Sequence, residues 1–198
     1  MGLDLKYIEG QTPLEEEEKE GLLIPTITTR EELDEFEQKN IEEAILWVLS
    51  KKLKKETIFT EKFVRELHKR MYGHIWKWAG DFRQTNKNIG IEYWKIFTEL
   101  KVLLDDALFW IEQGIFPADE MAIIFKHRLV SIHCFPNGNG RHSRLMADII
   151  VSKIFGLEVF SWGSDNLSHE TNAREIYIRA VKLADKGSYS ELVKFARS

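Results

Sequence analysis

The chain has 198 residues, 43% of them hydrophobic and 30% charged, a globular balance long enough to bury one core around one site. A net charge of -4 and a pI near 5.9 provide no positive field for nucleic acid or an anionic membrane, and no stretch approaches the roughly 20 apolar residues a membrane helix needs. Cys134 is the lone cysteine, so no intramolecular disulfide can form, and residues 1–10 lack the apolar core of a signal peptide; a cytoplasmic protein is expected.

Along the chain, residues 1–28 carry the acidic run Glu15 to Glu18 and no sustained period, which reads as an arm with a solvated acidic face. Thr29 followed by Glu32 has capping-box spacing, and Leu33, Phe36, Ile41, Ala44, Ile45 and Val48 continue as a helical stripe to about Lys55, where a run of lysines suits the helix end. A second helix is predicted over 60–72 from Phe63, Leu67 and Met71. Residues 76–97 break into Gly80, Asn86, Asn88 and Gly90 among β-branched and aromatic residues, the pattern of a loop with a short hairpin. Helical spacing returns over 98–113, again over 117–133 behind Pro117, and over 140–155. Two more helices follow, over 172–185 and from Ser188, whose spacing to Glu191 repeats the capping box. The expected fold is all-α, with about seven helices.

The polar junction at 133–144, His-Cys-Phe-Pro-Asn-Gly-Asn-Gly-Arg-His-Ser-Arg, joins two apolar helices. Gly138 and Gly140 allow the backbone to approach a ligand closely, and the first N–H groups of the next helix can point at an anion. Arg141 and Arg144, three apart, can reach over the same helix end and bind phosphate oxygens, although cations are otherwise unfavourable there. His133 at the opposite lip can accept a proton near neutral pH. The lysine and hydroxyl of a P-loop are missing, and Cys134 reads as a small core residue rather than a nucleophile. His68, His74, His127, His142 and His169 show no metal-binding spacing, and His127 falls on a different helix face from His133.

This segment resembles the Fic family signature, His-x-Phe-x-(Asp/Glu)-Gly-Asn-Gly-Arg-x-x-Arg, at His133, Phe135, Gly138, Asn139, Gly140, Arg141 and Arg144. Upstream, Leu67-His68 and the stretch Trp78, Ala79, Gly80, Asp81, Phe82, Arg83 are also similar, as is Tyr177 to Ala180 before Asp185 and Gly187. The resemblance covers roughly 57–198, leaving 1–56 as an N-terminal arm and helix, and the wording of the chain looks like the subgroup called mobile mystery protein B. It implies a helical domain with a β-hairpin flap beside the motif, using ATP and Mg²⁺ or Mn²⁺ to transfer AMP to a Tyr, Thr or Ser hydroxyl of a target protein. On that resemblance His133 is the general base, Asn137, Gly138, Asn139 and Gly140 bind the nucleotide, Arg141 and Arg144 hold its outer phosphates, and Phe135 anchors the loop. The flap, from Arg83 to Ile96, would offer an edge for an extended target segment. Asn137 stands where the family has an acidic metal ligand, so its amide oxygen lacks the charge that holds a hard cation. Many relatives carry an inhibitory glutamate, whose best counterpart is Glu42, paired with Arg144. Transfer of another phosphate-containing group, a nucleotide-binding regulatory or toxin-antitoxin-type module, and pairing with a second copy all stay open.

Overall fold

The computed structural model describes residues 13–163 and 170–198; His169 and residues 1–12 of the arm lie outside them. The elements are α1 (Glu16–Lys19), α2 (Arg30–Leu49), α3 (Lys55–Ile58), α4 (Glu61–Tyr72), α5 (Ile96–Gln113) entered through a tight turn at Tyr93–Lys95, α6 (Ala118–Ile132), α7 (Asn139–Ile149) prolonged by a wide turn at Ile150–Ile154, α8 (Glu170–Ala184) and α9 (Ser190–Ala196). The seven long helices are those expected, and no β-strand occurs among the described residues. α6 is the central helix. Its consecutive buried residues Met121, Ala122, Ile123, Ile124 and Phe125 have no polar face to show water, and α5, α7 and α9 surround it. α2 lies across α4, which in turn meets α5 and α7.

The helix starts follow local chemistry. Thr29 accepts from the Glu32 backbone at 3.2 Å while the Glu32 carboxylate accepts from Thr29 at 3.1 Å, so the first expected box forms. The second does not. Ser188 donates its N–H to Leu183 at 3.1 Å as part of the turn that ends α8, and α9 begins at Ser190. Likewise α2 stops at Leu49 rather than near Lys55, because Lys153 donates to the carbonyls of Leu49 and Lys51 and so satisfies its end.

Two larger departures concern the chain around 13–28 and 83–96. The arm is built into the fold. Leu14 is buried, the Leu23 N–H donates to Ile75 at 2.7 Å, the Lys77 N–H to Gly21 at 2.8 Å and the Trp78 indole to the Glu18 carbonyl at 3.0 Å. The acidic run is solvated only in part: Glu16 and Glu17 are exposed, whereas Glu15 and Glu18 both grip Lys87, at 3.1 and 2.6 Å, and only 3% of that lysine side chain is exposed. The expected hairpin at 83–96 is a loop. Side chains replace the ladder that would pair its two arms: Arg83 donates to Thr85 on one arm and Ile91 on the other, and Asn86 accepts from the Tyr93 N–H at 3.0 Å.

Candidate active site

α6 ends at Ile132, and His133 caps it in a left-handed conformation, φ 57°, which a residue with a Cβ rarely adopts. That turn sends Cys134 and Phe135 into the core, where the Phe135 ring stacks on His68 with centroids 3.7 Å apart. The Asn139 side chain then accepts from the Phe135 N–H at 2.9 Å and donates to the Phe135 carbonyl at 2.8 Å, closing the loop on itself. Gly138 starts α7 at φ 78°, and a Cβ there would lie 2.5 Å from the Tyr72 ring, so glycine is required by conformation and by space. Gly80 donates its N–H to His68 Nδ1 at 3.0 Å, which leaves His68 Nε2 to carry a proton and donate to the Asn137 carbonyl, also at 3.0 Å. His142 donates to the Val64 carbonyl at 3.0 Å. Burial holds both histidines neutral, His142 down at about 4 and His68 well below its usual value. They are the loop's scaffold.

The loop and the start of α7 form one wall of a cavity of about 850 Å³. His133, Asn137, Gly138, Asn139, Gly140, Arg141 and Arg144 all line it, so every expected nucleotide-binding and catalytic position converges there. The Asn139 amide is spent on the loop, so its contribution to an anion is its backbone N–H, together with the other first-turn N–H groups that have no acceptor within the helix. A Cβ on Gly140 would meet nothing within 4 Å, so this glycine borders open space. Burial pushes the His133 imidazole down to about 4, with the Arg83 cation adding to that, a Val130 backbone hydrogen bond opposing it and Lys87 contributing last. The ring is therefore neutral at pH 7 and able to take a proton. Burial also pushes the Cys134 thiol up to about 12, which fits an inert core residue.

Glu42 does not enter this site. It is exposed and accepts from Gln38 one helical turn earlier at 3.1 Å. The α2 carboxylate that meets a residue of the site is Glu37, which does not line the cavity but is buried beside it, accepting from the Trp76 indole at 2.8 Å and paired with Arg141 at 2.6 Å. Burial disfavours the Arg141 charge, but Tyr72 and Glu37 more than offset it and hold its pKa above the ordinary value. The other side of the cavity comes from α8, through Tyr177, Ile178, Val181, Lys182 and Asp185. Behind it the buried Lys126 donates to the Tyr177 hydroxyl at 2.7 Å, and His127 meets Asp185 at 2.8 Å, so two α6 side chains dock α8. Glu37 was legible as a charge on the apolar stripe of Leu33, Ile41, Ala44 and Val48, and Lys126 as a charge directly after an unbroken apolar run. The α8 wall has no such mark, beyond the similarity at Tyr177.

No group of three or more metal-ligating side chains occurs among the described residues. The Asn137 amide oxygen accepts from the Gly138 N–H at 2.6 Å, and no carboxylate stands beside it on the loop. These residues do not by themselves fit a divalent cation.

The Fic/DOC family model matches residues 58–151. These residues belong to the Fic/DOC family. Among curated relatives, the protein adenylyltransferase Fic of Aedes aegypti is 23% identical over 159 residues, 78% of this chain and 30% of that protein. Its namesake from Drosophila grimshawi is 28% identical over 141 residues, 69% and 27% respectively. The chain thus spans under a third of the length of these relatives. Two solved structures share the Fic fold: Fic-1 (residues 134–508) from C. elegans, with a TM-score of 0.68, 24% identity and coverage of 90% of this chain and 51% of that one, and an N-terminal Fic domain from Bartonella quintana with bound ADP, with a TM-score of 0.64, 19% identity and coverage of 87% and 86%.

Proposed function

We propose that the protein is a protein adenylyltransferase, moving AMP from ATP onto a Tyr, Thr or Ser hydroxyl of another protein. The observation that carries this reading is one cavity holding a neutral buried imidazole, a glycine-lined helix N-terminus and two arginines. The names of the curated relatives and the ADP bound by the Bartonella domain support it. In this mechanism His133 takes the proton from the target hydroxyl as its oxygen bonds to the α-phosphorus. The bond from that phosphorus to the oxygen bridging toward the β-phosphate breaks, and pyrophosphate leaves with the bond pair. The N–H groups at the start of α7 and the guanidinium groups of Arg141 and Arg144 meet the charge that develops on the phosphate oxygens, and the α8 wall takes the nucleoside. No step is assigned to a metal, which would have to arrive with the nucleotide rather than be held beforehand.

The target would lie along 83–96, where Tyr93 and Trp94 are exposed rather than core and Ile89 and Gly90 border the cavity. Without a strand, that loop offers side-chain contacts and isolated carbonyls rather than a full ladder. A cytoplasmic setting suits the lone cysteine, and 57–198 is the catalytic core on this reading. Asn137 supports a second reading, a nucleotide-binding module with little transfer. Incubating the chain and a cell extract with ATP labelled at the α or the γ phosphate separates these. Label from the α position on protein is expected. Label from γ alone makes the transferred group phosphate, and none from either, with ATP still bound, favours the binding module.

A further inference from the structure

Arg83 is one of the largest fully buried side chains in the molecule, and every hydrogen bond recorded for its guanidinium goes to a main-chain carbonyl. Nε donates to His133 at 2.6 Å, Nη1 to Thr85 at 2.7 Å, and Nη2 to Ile91 and, at 3.4 Å, to Ile132. The Arg83 N–H adds a bond to the Cys134 carbonyl at 3.0 Å. One residue therefore holds three consecutive carbonyls at the end of α6 and both arms of the loop. A cation at a helix C-terminus is favourable, but a buried one whose hydrogen bonds all go to carbonyls, with the Glu18 carboxylate acting only from further off, carries a desolvation cost that a merely structural contact does not need. The placement accounts for it. The left-handed turn at His133 has its carbonyl fixed by Nε, and the loop tip is laid over the same residue, since a Cβ on Gly90 would lie 2.5 Å from the His133 Cβ and 3.2 Å from Arg83 Nη2.

We propose that Arg83 is a positioning residue for group transfer: it fixes the distance between the His133 imidazole and the target-facing loop, so that an incoming hydroxyl meets the base and the phosphate together. The inference rests on the transferase reading above. It predicts an effect on the chemical step without one on nucleotide binding, because Arg83 lies behind His133 and does not line the cavity. A misplacement of about 1 Å between reacting groups can cost on the order of 100-fold in rate.

The test compares Arg83→Met, Arg83→Lys and Gly90→Ala in the full chain, using transfer of α-labelled ATP into extract protein, ATP affinity by calorimetry, and titration of the His133 imidazole by NMR with labelled histidine. The kcat is expected to fall on the order of 100-fold in Arg83→Met and Gly90→Ala, with ATP affinity changed less than about threefold, and Arg83→Lys should recover part of the loss. The titration should move up from about 4 in Arg83→Met and least in Arg83→Lys. The rise is a fraction of the distance to the usual value, because burial, the larger cause, remains, as do Lys87 from the loop, Arg141 and Arg144 from α7, Lys182 from α8 and Arg30 at the start of α2 around the pocket, with Asp185 as the opposing charge. Full kcat in Arg83→Met, or a loss of ATP affinity in step with the rate, overturns the proposal. If Arg83→Met fails to fold, Arg83→Lys and Gly90→Ala decide it by the same criteria. If the wild type transfers no label, the transferase reading fails instead, and an unmoved His133 titration in Arg83→Met overturns the positioning by itself.

Discussion

At the scale of single residues, His133 and Asn137 make opposite demands on experiment. Replacing His133 by Ala should lower transfer on the order of 100-fold to 10,000-fold while ATP binding measured by calorimetry stays within a few-fold, because in the proposed mechanism the imidazole meets the hydroxyl and not the phosphates. Asn137→Asp should gain activity at low Mg²⁺, as an added carboxylate supplies the charge that the amide oxygen lacks. A Mg²⁺ titration of both forms measures this, and saturation at the same concentration would remove the side chain from any metal contact. Most of this loop was readable beforehand. A Gly-Asn-Gly alone is an ordinary interhelical turn, and it is His133 and Phe135 before it and two arginines three apart after it that resemble the family signature. What the sequence could not convey is that the Asn139 amide is folded inward onto Phe135. An asparagine offers the same donors whether it faces a ligand or its own backbone, and only the turn geometry decides.

Among the elements, α2 is where the glutamate expected to reach an arginine of the site stays at the surface and another meets one. The family resemblance pointed to Glu42, but a helix exposes one side and buries the other, and it is Glu37 that shares the stripe of Leu33 and Ala44. Glu37 is paired with Arg141 without lining the cavity, and on the proposed function it draws on the charge a nucleotide would use. Glu37→Gln keeps an acceptor for Trp76 and removes the anion. ATP should bind about fivefold tighter, equivalent to about 1 kcal/mol, as expected for a nearby charge at intermediate dielectric. The thermal midpoint should fall, because a largely buried guanidinium loses its partner. Calorimetry with ATP and a melt of each form report the two effects, and weaker ATP binding would mean that Glu37 orients Arg141 rather than competing for it. The hairpin was misread for a related reason: alternation and Asn-rich turns are common to hairpins and to loops tied by side chains, and the tie here is an arginine whose reach no local pattern reveals.

For the molecule as a whole, the buried histidines set its response to acid. Burial keeps His142 and His133 at about 4 and His68 well below its usual value, whereas an unfolded histidine titrates near 6.5. Between those values the unfolded chain binds more protons, so stability is present above about pH 6.5 and is lost as the pH falls toward 4. Asp148, raised by burial to about 6, works in the opposite direction over part of the range, since its folded form takes up a proton first. Three histidines outweigh one carboxyl. The melting temperature should drop on the order of 5–10 °C between pH 7 and pH 5, measured by circular dichroism at constant ionic strength. An unchanged midpoint would mean that the rings reach water more easily than their packing implies.

The segment that matches the family begins at residue 58, yet its interior is completed from before that point. Arg141 and Trp76 both find their acceptor on Glu37, and Lys87 finds its carboxylates on Glu15 and Glu18. A fragment cut at the family boundary would leave a guanidinium, an indole N–H and an ammonium group without those partners, the cation of Lys87 being part of the loop at 83–96 itself. The smallest portion of this protein that can be expressed alone and still hold its loop in place therefore starts no later than the short helix at Glu16, with Glu15 before it.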